Sequence, residues 1–177
     1  MAIYEDVMGA LDYLRTTLNE VGKIVKDWEH KRGCIFLKWL KTKLKYIKKE
    51  LTYDPIQDNF YKRGDIVHVD LGFNIGSEDG GGRFAIVLWS PQKSKTMTVI
   101  PITSEKANSK HNPQIHVRLG ELLEDGIVNW AKVEQIRCVS KLRVTYPAKS
   151  KNYKNLRLPS NLMDDIDKAT IRLYVKA

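Results

Sequence analysis

Residues 76–83 read GSEDGGGR and run directly into FAIVL, a short apolar stretch with the composition of a buried strand. The side chains able to do chemistry there are Ser77, Glu78, Asp79 and Arg83. A guanidinium stays charged at any physiological pH and presents a planar fork of donors, so Arg83 suits a clamp on paired phosphate or carboxylate oxygens. Carboxylates such as Glu78 accept protons near neutral pH only where burial or a like charge raises their pKa. Gly80, Gly81 and Gly82 lose the most backbone entropy on ordering. Their run predicts a loop that moves or lets another group approach its backbone.

Other chemistries are set aside by motif arithmetic. The loop lacks the Gly-Lys-Ser/Thr ending of a nucleotide-binding P-loop. His30, His68, His111 and His116 show no metal-ligand spacing, and Cys34 and Cys138 form neither a CxxC pair nor a disulfide framework. A mechanism without metal or cofactor, in a reducing cytoplasm, is the expectation. His68 alternates with Ile66 and Asp70 along one strand face and reads as a partner-bonded structural histidine. The chain has 177 residues, 42% of them hydrophobic, and carries a formal charge of +9, which supports a real core and points to a polyanionic partner. No run of about 18 apolar residues occurs, and MAIYEDVMGALDYL bears acids where a signal peptide bears bases, so neither membrane insertion nor export is expected.

The elements that must position these residues change character near residue 55. Tyr4, Val7, Leu11, Leu14, Leu18, Val21, Val25 and Trp28 alternate at four-and-three spacing, the seam of a helix with something to pack against. The seam breaks at Arg32-Gly33-Cys34 and resumes through Leu37, Leu40, Leu44, Ile47 and Leu51. This predicts a second, lysine-rich helix and a helical hairpin or coiled-coil extension over residues 1–57. TYDPIQDN, with Pro55, reads as a linker. The domain over 58–177 then offers six short β-branched runs, at 65–71, 84–90, 95–103, 115–119, 127–133 and 135–140, the pattern of a small curled sheet or barrel. A last helix lies within PSNLMDDIDKATIRLYV, with Ser160 or Asn161 as cap and Leu162, Ile166, Ala169 and Leu173 on its apolar face.

KRGDIVHVDLGFNIGSEDGGGRFAIVL, then TVIPITS, HVRL and VEQIRCVSKLRV, resembles in order and spacing the MazF/PemK family of toxin endoribonucleases, over about residues 61–175. The resemblance implies an α+β protein with an SH3-like small β-barrel and a C-terminal helix. It further implies a homodimer with an acidic antitoxin partner, and metal-independent cleavage of single-stranded mRNA at short sequences. Carried onto this sequence, the family's catalytic arginine and threonine fall on Arg83 and Thr103, and its acids on Glu78 and Glu134. The RNA path falls on Ser77, Ser104, Lys132, Gln135 and Arg137. The sequence departs from the family where Phe84 replaces the usual proline after the arginine, and in the helical extension that short members lack.

The chemistry of those residue types agrees. RNA is cut without metal when its own 2′-hydroxyl attacks the adjacent phosphorus, which needs a proton acceptor and charge stabilisation at the phosphorane. Arg83 supplies the second, Glu78 or Glu134 the first, and Thr103 orients the phosphate. Two other functions share the fold or the basic surface. A gyrase-directed CcdB-like toxin acts through a Trp-Gly-Ile ending where this chain reads LYVKA, and a non-catalytic RNA-binding regulator has no need of Arg83 with Thr103.

Overall fold

The computed structural model describes residues 2–57, 60–107, 111–123, 126–147 and 156–175, without the side chains of 2–8 and 147. Two compact units result, Met1–Leu44 and Lys45–Ala177. The first holds helix α1 (Ala2–Lys26) and most of α2 (His30–Glu50). The break between them falls at 27–29, earlier than the expected Arg32-Gly33-Cys34. The Glu29 carboxylate causes it by accepting the Lys31 and Arg32 backbone N–H groups at 2.9 and 3.0 Å, which caps α2. Gly33 lies inside the helix because a Cβ there would stand 3.3 Å from Val25 Cγ1. It permits close packing and does not stop the helix. Beside it Trp28 meets Phe36 edge-on at 5.2 Å, and the Arg32 guanidinium lies 5.3 Å from the Trp28 ring centre. The side chains of Tyr4 and Val7 lie outside the described residues. Leu14 and Leu18 on the same seam remain 51% and 55% exposed, so the expected burial is not met within one chain.

The second unit is built on seven antiparallel strands: β1 (Ile66–Asp70), β2 (Gly82–Trp89), β3 (Thr96–Ser104), β4 (His116–Gly120), β5 (Asn129–Lys132), β6 (Arg137–Ser140) and β7 (Val144–Pro147). Their order is β4-β5-β3-β2-β1-β7, with β6 beside β3. β3 serves two partners, β6 through Thr96–Val99 and β5 through Ile102–Ser104, and this division curls the sheet. The path ends at β4 and β7, which do not pair with each other among the described residues, so the expected barrel is an open curled sheet of the same class. Six of the strands coincide with the β-branched runs. β7 escaped the reading because its alternation, Leu142, Val144 and Tyr146, is short: the strand has only four residues and ends on Pro147.

Strand alternation sorts the core into two layers. Ile66, Ile86, Ile100 and Ile102 pack with Met163, Ile166 and Ala169 of α3 (Ser160–Tyr174), while Val67, Val69, Ala85, Val87, Met97 and Val99 fill the opposite face. The α3 cap is Pro159, extended and without a side-chain cap bond, whereas Ser160 already belongs to the helix. Below the sheet ends, the Tyr46 hydroxyl of α2 donates to Asp70 Oδ2 at 3.2 Å. Burial, and then the Asp70 charge, push its pKa up to about 12.

Candidate active site

Each glycine of the run 80–82 has a local cause. A Cβ on Gly80 would stand 2.8 Å from the Gly72 carbonyl oxygen, and one on Gly82 would stand 2.6 Å from His68 Cε1. Gly81 adopts φ +69°, the left-handed region that a side chain disfavours. The loop is tied down along its length. Two backbone bonds cross its neck, Leu71 N–H to Gly81 O at 2.8 Å and Gly81 N–H to Gly72 O at 2.7 Å. Asn74 Nδ2 donates to the Asp79 carbonyl at 2.6 Å, and Arg137 donates to the same oxygen at 3.0 Å. Gln135 Oε1 accepts from Asp79 N–H at 3.2 Å and from Arg137 at 2.6 Å, while Gln135 Nε2 reaches the Ser77 carbonyl at 3.5 Å. Gln135 and Arg137 therefore act on the loop backbone, and of the two ideas about the glycines, close approach is the one with a visible cause.

Arg83 is the second residue of β2, exposed and opposite Val69 of β1. The β2–β3 register, Ala85 opposite Pro101, extended by two residues brings Thr103 level with Arg83 on the same face. The two residues line one groove of about 320 Å³, together with Ser104, Lys106, His68 and Phe84. Glu78 and Glu134 are not among its described lining residues. Glu78 is exposed on the loop, with its backbone N–H on the Ile75 carbonyl at 3.2 Å. Ser77 is exposed beside it.

Glu134 belongs to a second polar cluster. His116 Nδ1 accepts the Asn112 backbone N–H at 3.2 Å, so its Nε2 carries the proton and donates to Glu134 Oε1 at 3.2 Å. Lys132 bridges, 3.1 Å from Asp79 and 3.8 Å from Glu134 Oε1. The second Glu134 oxygen is buried without a described partner. Above this cluster His111 stacks on Trp130 at 4.5 Å, and burial, then the facing His116, lower its pKa below the usual 6.5. Sequence reasoning missed His116 and Lys106: the first needs the strand pairing His116 with Lys132, and the second is an ordinary lysine two residues past PITS.

His68 stands on the β1 face that carries Ile66 and Asp70, where the alternation placed it. Its ring is stacked on Tyr146 of β7 at 4.7 Å and 2°, and meets Phe84 edge-on at 5.2 Å. Burial, opposed in part by Asp70, lowers its pKa below 6.5. Among the described residues no group of three His, Cys, Asp or Glu side chains is placed to hold a metal ion, and no helix is long and apolar enough to cross a membrane.

The fold has relatives among known proteins. The crystal structure of MazF (Form-I) from Deinococcus radiodurans is similar at a TM-score of 0.51 and 22% identity, over 66% of this chain and 97% of that one. A second crystal structure, MazE-MazF (Form-II) from the same organism, matches at 0.44 and 21%, over 68% and 100%. At such identities the first likeness is one of fold. No curated protein matches the chain. The α1 and α2 helices precede the stretch, residues 62–174, that matches the family of PemK-like, MazF-like toxins of type II toxin-antitoxin systems, and over that stretch the chain belongs to this family.

Proposed function

We propose that the protein is the toxin of a toxin–antitoxin pair and cleaves single-stranded mRNA at a short sequence, by attack of the 2′-hydroxyl on the adjacent phosphorus without a metal. The observation that carries this reading is the groove of about 320 Å³ with Arg83 and Thr103 on one wall, in a chain of the toxin family. Arg83 clamps the non-bridging phosphate oxygens and stabilises the charge that grows on them in the phosphorane. The Thr103 and Ser104 hydroxyls orient the phosphate, and Lys106 adds positive charge at the mouth. Lys132, Gln135 and Arg137 serve RNA binding by holding the 72–81 loop, through Asp79 and the Ser77 carbonyl, so that Ser77 and Glu78 face the RNA strand. Glu134, held by His116 and Lys132, anchors the same region.

The chain works as a homodimer in the cytoplasm, and its charge of +9 suits both RNA and an acidic antitoxin segment that competes for the same surface. The expected outcome for Arg83→Ala is a fall in kcat of about 100- to 1000-fold, with RNA affinity within a few-fold, because the contact strengthens in the transition state. Single-turnover cleavage and filter binding on one oligonucleotide check it. Unchanged turnover with weakened binding would make Arg83 a docking residue and remove the carrying observation.

A further inference from the structure

We propose that His68, through Nε2, is the proton acceptor for the attacking 2′-hydroxyl in the groove that holds Arg83 and Thr103. The inference rests on the nuclease reading and deepens it, since that reading needs an acceptor and neither Glu78 nor Glu134 lines the groove among the described residues.

The hydrogen bonds around the ring point to one tautomer. The Thr145 hydroxyl has one proton and donates it to the His68 carbonyl at 3.1 Å. The same oxygen lies 2.6 Å from His68 Nδ1, so in that contact it accepts and Nδ1 carries the ring proton. Nε2 is then left with its lone pair and no hydrogen-bond partner among the described residues. It lies over Gly82, where a Cβ would come within 2.9 Å of it, in the groove that Arg83 also lines. Tyr146 and Phe84 hold the ring plane. A base so oriented by a second group is the arrangement general-base catalysis requires.

The groups beside the ring are Asp70 from its own strand, Phe84 opposite it on β2, and Thr145 and Tyr146 from β7, while Arg83 and Lys106 line the same groove. Burial keeps the imidazole neutral at pH 7, as an acceptor must be. In the step, the 2′-O–H proton passes to Nε2 as the 2′-oxygen bonds to phosphorus. The P–O5′ bond breaks with its electron pair on O5′, which takes a proton from water. The resulting hydroxide removes the proton from the imidazolium, so atoms and charge balance.

The test is a pH–rate profile for the full-length protein and His68→Gln on one RNA oligonucleotide, together with 15N-NMR of the wild-type imidazole. The wild type should show kcat/KM rising with pH to a plateau through a pKa below 6.5, because the imidazolium cannot accept a proton. His68→Gln should lose that limb and about 100- to 10,000-fold in kcat, with KM within a few-fold. NMR should find the neutral ring protonated at Nδ1. An Nε2–H tautomer, or an active His68→Gln that keeps the limb and the rate, would overturn the role of His68 alone. A folded wild type that cleaves no RNA would overturn the nuclease reading and the role with it.

Discussion

Asp65 and Arg63 flank Gly64 in one motif yet do different work. The Asp65 carboxylate is 2% exposed and accepts from Arg157 at 2.7 Å and from the Lys62 backbone N–H at 2.8 Å, so it fastens the start of β1 to the segment entering α3. Arg63 pairs with Asp167 while both side chains remain about half exposed. Removing Asp65 leaves the Lys62 backbone N–H and the half-exposed Arg157 without their acceptor, whereas an exposed pair gives little, so Asp65→Ala should lower unfolding stability by about 2–3 kcal/mol and Arg63→Ala by about 0.5 kcal/mol. Urea unfolding of both variants checks the order. Equal losses would mean that the Asp65 contacts are not what holds this corner. The same scale decides what was legible at the site. Arg83 and Thr103 could be read because they sit in a loop and a strand end with sequence signatures. The placement of His68 on its face was also legible, but its proton arrangement was not, since Thr145 and Tyr146 lie 77 and 78 positions away and reach it only through the β1–β7 pairing.

Among the elements, the 72–81 loop depends most on distant residues. Gln135 and Arg137, on the turn before β6 and on β6 itself, supply the acceptor for Asp79 N–H and a donor for its carbonyl. Gln135→Ala should raise the hydrogen-exchange rate of the Asp79 amide about tenfold or more while the β2 amides keep their protection, because local opening is governed by local contacts. Exchange mass spectrometry over the loop peptide checks this, and an unchanged rate would assign the loop's order to its own backbone bonds. Strand positions were readable from period-two alternation of β-branched residues. Helix boundaries were less so: Gly33 carries the signature of a break, yet Val25 uses its missing side chain for packing, and the stop is set by the Glu29 carboxylate. Sheet closure was not readable either. Whether β4 meets β7 depends on how β3 divides its edge between β5 and β6, which no local pattern encodes.

At the scale of the molecule, family membership covers residues 62–174, and the helices before it add an apolar seam that one chain leaves about half exposed at Leu14 and Leu18. On the proposed function, the +9 charge should make association with RNA or with an acidic antitoxin segment strongly salt-dependent. The central claim is a chemical one: a groove with a guanidinium clamp, an orienting hydroxyl and a neutral imidazole cuts RNA by using the RNA's own hydroxyl. The measurement that tests it most directly is mass spectrometry of the ends left on a long single-stranded RNA after incubation with purified protein in EDTA. The account predicts 2′,3′-cyclic phosphate on the upstream fragment and a 5′-hydroxyl on the downstream one. A requirement for Mg²⁺, or 3′-hydroxyl and 5′-phosphate ends, would contradict it.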